Sequence, residues 1–112
     1  MHEFLLVFRR DYKTKSVQPS PEKLQEHLKH WTEWFGKLKT EDKLVVPPQR
    51  FDAAGKVLQH DKTVVDGPVV EHKDSIGGLI FIKAKDYMEA EKIAKGCPTL
   101  ELGGNVEIRQ VL

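Results

Sequence analysis

The chain has 112 residues, of which 39% are hydrophobic and 31% are charged, and this is the size and composition of one globular domain rather than two. Eighteen Lys and Arg residues against seventeen Asp and Glu residues give a net charge of +1, so the totals lack the basic excess of proteins that bind nucleic acid through phosphates. The single cysteine excludes an intramolecular disulfide framework, and no apolar stretch approaches the ~20 residues of a membrane span. We therefore expect one soluble, cytoplasmic domain over residues 1–112 that contacts neither a membrane nor nucleic acid directly.

The first strand and the first helix have the strongest sequence signals. Residues 4–8 form a short, continuous apolar run that is rich in strand-forming residues. After a polar loop, Ser20 and Pro21 predict the start of a helix, because serine can cap the first turn and proline there loses no needed hydrogen bond. The helix is expected to reach about Lys39. Its apolar residues recur at helical spacing and share one face: Leu24, Leu28, Trp31, Phe35 and Leu38. Trp34 widens this apolar face.

Short strands and a hairpin are predicted for the middle of the chain. Residues 43–46 begin a second strand, and Pro47 and Pro48 confine it to a sheet edge or a bend because proline cannot donate to a sheet ladder. A hairpin is expected around residues 53–56. The continuously apolar residues 78–82 then predict a third main strand.

One further helix and one further strand complete the predicted domain. Asp86 caps a helix over residues 87–95 that ends at Gly96, and alternating side chains over residues 106–111 indicate the last strand. The order is therefore strand, helix, strand with hairpin, strand, helix, strand. Because two helices can cover only one face of a four-stranded sheet, this order predicts an α+β, ferredoxin-like βαββαβ fold with an extra hairpin.

The two central strands predict a partner for the other face of the sheet. Residues 4–8 and 79–82 are apolar at successive positions, and successive side chains of a strand point to opposite faces. The helices bury one set, and nothing else in the chain is large enough to bury the other. Because an exposed apolar patch beyond roughly 300–600 Å² is unusual on a soluble monomer, we expect two sheets to pack face to face in a homodimer.

Three segments in the second half of the chain are typical of a known family. Residues 66–78 read DGPVVEHKDSIGG, and KGCP at residues 95–98 and GGNVEIR at residues 103–109 follow in the family's order and spacing. The chain thereby resembles the DGPF-domain branch of the YCII-related family. The resemblance implies a dimeric α+β barrel built from ferredoxin-like protomers, in agreement with the assembly that the apolar strands predict.

At several positions the chain departs from the family pattern. Val69 stands where the family has phenylalanine, His72 where a small residue is common, Asp74 where glutamate is usual, and Gln110 where proline usually follows the arginine. The better-studied YCII proteins resemble enzymes with a histidine–aspartate pair whose histidine lies on the first helix. In this chain the corresponding position falls near Trp31 rather than on a histidine.

The candidate acid–base residues lie in the first of these segments. Asp66 and His72 are the candidate catalytic residues, since a carboxylate or an imidazole there can exchange protons with a substrate. Glu71 and Lys73, two positions apart on an extended chain, would position that substrate from one side. A structural interpretation stands beside each: Asp66 begins a turn sequence, and the Glu71–Lys73 pair is a solvated or intrachain ion pair.

Two residues outside that segment complete the predicted substrate site. Trp31 would form a wall of the cleft between helix and sheet, and Arg50 would bind an anionic group. The alternatives are core packing for Trp31 and a local ion pair for Arg50.

No metal site and no cofactor are expected. His27 and His30 are three positions apart on the first helix, where one metal ion could bind both, yet no spacing identifies a third ligand. We therefore interpret both histidines as the partly exposed flank of the helix. Cys97 has no activating neighbour in sequence and is interpreted as a buried small hydrophobe.

Three classes of function follow from these residues and the resemblance. The first is a protein that binds a small molecule in a cleft of the dimeric barrel, with cofactor-free acid–base chemistry of the isomerase or lyase type. The alternative is a non-catalytic regulatory or ligand-binding module with a transcription-related partner, because some members of the family carry names linked to transcription initiation or accompany sigma factors. The third is a purely structural dimerisation domain.

Overall fold

The computed structural model describes residues 1–112 and contains six strands, two α-helices and two short 3-10 helices. The strands are β1 His2–Arg10, β2 Gln49–Arg50, β3 Gly55–Leu58, β4 Val64–Gly67, β5 Ser75–Ala84 and β6 Asn105–Gln110. The α-helices are α1 Pro21–Thr40 and α2 Tyr87–Ala94, and the 3-10 helices are Lys15–Val17 and Pro98–Leu102.

Four of the strands form one antiparallel sheet in the order β2-β5-β1-β6. The two long strands lie at its centre, with Phe4 opposite Ile82 and Leu6 opposite Ile80. With a helix after the first strand and another before the last, this is the strand order of a ferredoxin-like α+β fold. The predicted fold class is therefore confirmed at the level of one chain. β3 and β4 form a separate two-stranded hairpin between β2 and β5.

Both α-helices pack on the same face of the sheet. Phe4, Leu6 and Phe8 alternate along β1, so they point to one face, and the helices contribute their buried residues to the same cluster. The members of that cluster are Phe4, Leu6, Phe8, Trp34, Leu38, Ile80, Ile82, Ala84, Ala90, Ala94 and Cys97. Neither helix has the length and apolar character needed to cross a bilayer.

Local capping signals place the helix starts where the sequence predicts them. The Ser20 hydroxyl accepts a hydrogen bond from the Lys23 backbone N–H at 3.2 Å, and Pro21 is the first helical residue. The Asp86 carboxylate likewise accepts from the Glu89 backbone N–H at 2.9 Å at the start of α2. Each contact satisfies one of the N–H groups that the first turn of a helix leaves without a partner.

The buried face of α1 includes Trp34 and Leu38 as predicted, but it differs from the prediction in its first half. Its buried residues are His27, Trp34 and Leu38, whereas Leu24 and Leu28 are exposed. The interpretation of His27 as a partly exposed flank is therefore wrong, because only 6% of this residue is accessible. The helix is rotated so that Trp34 packs against Phe8 of the sheet and His27 contacts Glu101 of the 3-10 helix Pro98–Leu102, while the two leucines remain accessible.

The middle of the chain also differs from the prediction. Residues 43–46 pair with β5 without forming a regular strand. Leu44 makes an isolated bridge to Ile82, the Val45 N–H donates to the Phe81 carbonyl at 2.8 Å, and the Lys83 N–H donates to the Lys43 carbonyl at 2.7 Å. The second strand follows the two prolines, as β2. The predicted hairpin turn at residues 53–56 is wrong as well, because that stretch enters β3 and the turn falls at residues 59–63. The turn residues Asp61 and Thr63 close it locally, since the Asp61 carboxylate accepts from both the backbone N–H and the hydroxyl of Thr63.

The second face of the sheet is apolar at its centre and charged along β6. Leu5, Val7, Leu79 and Phe81 lie on this face, opposite the helices. Glu107 is opposite Val7 and Arg109 is opposite Leu5, so the edge strand brings charges to the same face. The two helices of the chain do not cover this face, on which Val7 is 6% accessible and Leu5, Leu79 and Phe81 are half-buried.

The β3–β4 hairpin projects from the rest of the molecule. It pairs with no other strand, and its apolar residues Leu58, Val64 and Val65 are exposed. The radius of gyration is 15.2 Å, against about 13 Å for a compact chain of this length.

Candidate functional site

A cavity of about 370 Å³ opens between α1 and the end of the sheet where β1, β5 and β2 meet. This volume lies within the range of small-molecule sites. The helix side is formed by Leu24, His27, Leu28, Trp31 and Phe35. The sheet side includes Phe8, Arg10, Tyr12, Arg50, Phe51 and the glycine pair at residues 77–78.

His27 lies on the helix wall with both ring nitrogens engaged. The Trp31 indole N–H, one helical turn later, donates to His27 Nε2 at 2.8 Å. Because an indole nitrogen can only donate, Nε2 is the unprotonated nitrogen and Nδ1 carries the proton. The Nδ1–H donates to the Glu101 carboxylate at 3.1 Å. The two contacts therefore hold His27 in one tautomer and one orientation.

Glu101 is the acceptor shared by two histidines. It lies in the 3-10 helix Pro98–Leu102, and its other oxygen accepts from His30 Nδ1 at 2.8 Å. His30 Nε2 is 3.3 Å from the Glu26 carboxylate, so both nitrogens of that ring face a carboxylate. The hydrogen bond to Glu101 raises the pKa of His30. Burial by itself would raise the pKa of Glu101, but the hydrogen bonds from His30 and His27 outweigh it, and the pKa is lowered.

The sheet side of the cavity carries two arginines and a tyrosine. The Arg10 guanidinium lies 4.1 Å from the centre of the Tyr12 ring, and it donates to the Gln18 side chain at 3.0 Å and the Asp11 carbonyl at 3.2 Å. Burial raises the pKa of Tyr12, and the positive charges of Arg10 and Arg50 oppose that rise. The two positive charges therefore favour the ionised phenolate, against the effect of burial.

Gly77 makes room for Tyr12 at the floor of the cavity. A Cβ atom at this position would lie 1.7 Å from the Tyr12 hydroxyl oxygen, which no side chain can tolerate without displacing the phenol. Gly77 also falls at the irregularity in the pairing of β1 with β5. The absence of a side chain at Gly77 thus lets an aromatic ring lie against the sheet.

Two of the residues predicted to bind substrate, Trp31 and Arg50, line the cavity. The other predicted site residues lie outside it within one chain. Asp66 is exposed on β4, where it forms an ion pair with Lys56 at 2.5 Å. Residues 71–74 form a tight turn closed by reciprocal backbone hydrogen bonds of 2.9 and 2.8 Å between Glu71 and Asp74. The roles of Asp66, Glu71, His72 and Lys73 stay predictions.

The turn conformation explains where those side chains point. His72 and Lys73 have φ values of 49° and 71°, so the backbone reverses at these two residues and all three of Glu71, His72 and Lys73 are exposed. The alternation that would place Glu71 and Lys73 on one side of an extended chain therefore does not apply. The turn precedes β5 directly.

Sequence reasoning missed four residues of the site, namely His27 as a buried group, Glu101, Arg10 and Tyr12. The four-residue spacing of His27 and Trp31 was a usable signal, because side chains one helical turn apart can meet. No local pattern links His27 to Glu101, which are 74 positions apart. No cluster of three or more His, Cys, Asp or Glu side chains has the arrangement of a metal site.

Cys97 takes the predicted place in the core. The residue is 2% accessible and belongs to the buried cluster. Burial raises the pKa of its thiol to about 11. A thiol with this pKa is protonated near neutral pH and is a poor nucleophile.

Comparison with known proteins gives a family match and a similarity to solved structures. Residues 4–112 match the YCII-related domain. No curated protein sequence matches the chain. Among solved structures, the chain is similar to 5-chloro-2-hydroxyhydroquinone dehydrochlorinase (TftG) from Burkholderia phenoliruptrix AC1100, in complex with 2,5-dihydroxybenzoquinone, with 17% identity and a TM-score of 0.45. That alignment covers 97% of this chain and 93% of the other.

Proposed function

The chain belongs to the family of YCII-related domains, and on this premise we propose that it binds a small molecule in the cavity beside α1 and performs cofactor-free acid–base chemistry there. The observation that supports this proposal is the state of His27. The imidazole is buried on the cavity wall, its tautomer is set, and a carboxylate stands behind it. A histidine held in this way is equipped to take up and return a proton.

His27 Nε2 is the atom that would exchange the proton. When Nε2 accepts a proton, the ring becomes an imidazolium, and the Glu101 carboxylate on Nδ1 stabilises the new charge. The Trp31 N–H already donates to Nε2, so a bound substrate must displace that hydrogen bond before Nε2 can accept a proton. The proton can then return to another atom of the substrate, which is the overall course of an isomerisation, or leave with an eliminated group.

The homodimer is part of the same proposal. Leu5, Leu79 and Phe81 are half-buried around Val7 on the sheet face that the helices do not cover, and a second copy of that face would bury all three. The exposed hairpin and the turn at residues 71–74 are the parts of the chain most free to reach a neighbouring copy. The catalytic roles predicted for Asp66 and His72 depend on such an approach. A transcription-related partner likewise stays a prediction from the family resemblance.

Hydrogen–deuterium exchange tests the acid–base proposal without knowledge of the natural substrate. The protein is incubated in D₂O with a set of small carbonyl compounds that have an acidic C–H next to the carbonyl, and loss of that proton signal is followed by NMR. We expect faster exchange for at least one compound, and a loss of about 10²–10⁴-fold in that rate for His27→Gln. His60→Gln, on the exposed hairpin turn, is the matched control. No acceleration in the whole set, or full activity of His27→Gln, contradicts the proposal.

A further inference from the structure

The charged side chains that line the cavity are all positive. Arg10 and Arg50 are among the lining residues, and no Asp or Glu is. The chain has four arginines, and the other two are neutralised: Arg9 is 2.6 Å and Arg109 is 3.3 Å from the Glu107 carboxylate. Neither Arg10 nor Arg50 has a carboxylate partner. The two arginines without an ion pair are therefore the two at the cavity.

Arg10 is fixed in place although it lacks a carboxylate. It stacks over Tyr12 and donates to Gln18 and to a backbone carbonyl, and these contacts leave part of its five N–H donors unused. Arg50 makes no side-chain hydrogen bond and is exposed at the rim, on the short strand β2. The cavity thus has one guanidinium group held in a fixed orientation and one that is free to move towards a ligand. Together they favour a ligand with two anionic oxygens, such as a carboxylate, which arginine binds with two parallel hydrogen bonds.

The rest of the wall is aromatic and apolar. Phe8 and Trp31 meet edge to face with ring centres 4.9 Å apart, and Trp31 and Phe35 lie 5.3 Å apart. Phe51 and the Tyr12 ring complete the aromatic lining. An apolar protein cavity of about 150 Å³ holds benzene, so the 370 Å³ here has room for one substituted ring. A flat ring matches these surfaces better than a flexible polar chain does.

We propose that the cavity binds a small aromatic anion, with the ring against Trp31 and Phe8 and its carboxylate or phenolate oxygens towards Arg10 and Arg50. This inference deepens the proposed function, because it names the ligand class of the same cavity. It requires the cavity and the two arginines, but not proton transfer by His27. The Glu101 carboxylate does not oppose such a ligand, since it faces His27 and His30 and is not part of the lining.

Chemical-shift titrations with four probes separate the contribution of charge from that of the ring. The probes are benzoate, its neutral analogue benzamide, the non-aromatic cyclohexanecarboxylate, and acetate. We expect benzoate to shift the Trp31 indole N–H resonance. We also expect it to bind at least tenfold more tightly than benzamide and acetate, and cyclohexanecarboxylate to bind with intermediate affinity. Equal affinity for benzoate and benzamide would overturn the proposal, and so would no binding of benzoate at millimolar concentration.

Arginine variants test which side chains bind the carboxylate of benzoate. Arg10→Gln and Arg50→Gln should each weaken benzoate binding at least fivefold and leave benzamide unchanged, while Arg109→Gln, on the far face of the sheet, should have no effect. Two separate variants keep the test valid if one of them fails to fold. An equal loss in Arg109→Gln would overturn the assignment, because the effect would then reflect net charge alone.

The result is distinguishable from that of the proton-transfer test. If benzoate binds through the two arginines but no compound exchanges its proton, the acid–base proposal fails and the ligand class stands. If His27 accelerates exchange of neutral carbonyl compounds and benzoate does not bind, the ligand class is wrong and the acid–base proposal stands.

Discussion

At the scale of single residues, the side chain that organises the site is Glu101. It accepts hydrogen bonds from His27 and His30, which lie one turn apart on α1, and so links the 3-10 helix Pro98–Leu102 to the first helix. His30, with a carboxylate at each ring nitrogen, favours the charged imidazolium. Its positive charge faces the same carboxylate that orients His27. Glu101 is thereby an ion-pair partner for His30 and the hydrogen-bond acceptor that orients His27.

Substitution of Glu101 by Gln should lower the pKa of His30 and make the stability difference between the two proteins depend on pH. The contribution of His30 is fully present below its ordinary pKa of 6.5 and is lost as pH rises through the raised folded value. The contribution of Glu101 is present above 4.5 and is lost as pH falls through its lowered folded value. The difference should therefore be largest between about pH 4.5 and 6.5.

NMR titration of the His30 ring and urea unfolding at pH 5.5 and 8.5 measure the two effects. Glu91→Gln, a substitution of an exposed glutamate on α2 that has no ion pair, is the control and should show neither. The same destabilisation of Glu101→Gln at both pH values would show that the histidine contacts contribute nothing to it.

At the scale of elements, α1 is defined at its start by local signals and along its length by tertiary packing. The Ser20 cap and Pro21 act within the first turn, so they work in any surroundings. The face that the helix buries depends instead on what the sheet offers. Phe8 of β1 packs against both Trp31 and Trp34, and this aromatic contact sets the rotation that takes His27 inward.

Ser20→Ala should lower the free energy of unfolding by about 1 kcal/mol, because the Lys23 N–H loses its acceptor at the exposed start of the helix. Urea denaturation at neutral pH measures the change. Ser16→Ala is the matched control, since Ser16 is an exposed serine without a side-chain hydrogen bond, and its effect should stay below about 0.5 kcal/mol. Equal effects of the two substitutions would mean that the cap does not stabilise α1.

At the scale of the whole molecule, the two faces of the sheet have different partners. One face is covered by both helices and contains the buried cluster. The other has Leu5, Val7, Leu79 and Phe81 at its centre and the Glu107–Arg109 pair along its edge. A two-fold axis through this face would place apolar centre on apolar centre and leave the charged edges at the rim, as in many symmetric interfaces.

Light scattering at micromolar concentration should give twice the 12.8 kDa mass of one chain. Leu79→Lys should reduce the mass to that of one chain, because a charge at the centre of the interface would be buried without a partner. Met88→Lys, on the outer side of α2, should leave the dimer intact. Circular dichroism checks that each variant is folded. A single-chain mass for the unchanged protein would refute the face-to-face dimer.

The sequence by itself determined the elements whose signals are local. The apolar run of β1, the Ser20–Pro21 and Asp86 helix starts and the apolar run of β5 were read from neighbouring residues, and the structure has all of them. Their order was enough to predict an α+β, ferredoxin-like chain, because few arrangements of two helices on one antiparallel sheet are available. Trp31 and Arg50 were also predicted to bind substrate, and both line the cavity, while their roles stay predictions.

Only the tertiary structure decided the composition of the site. The contact between His27 and Glu101 joins residues 74 positions apart, and Arg10 and Arg50 reach one cavity from β1 and β2. The tertiary structure also decided that the regular second strand follows Pro47 and Pro48, and that a tight turn exposes His72. Side-chain spacing predicts neighbours within one turn of a helix or one step of a strand. Contacts between distant segments depend on the path of the whole chain, which no local pattern contains.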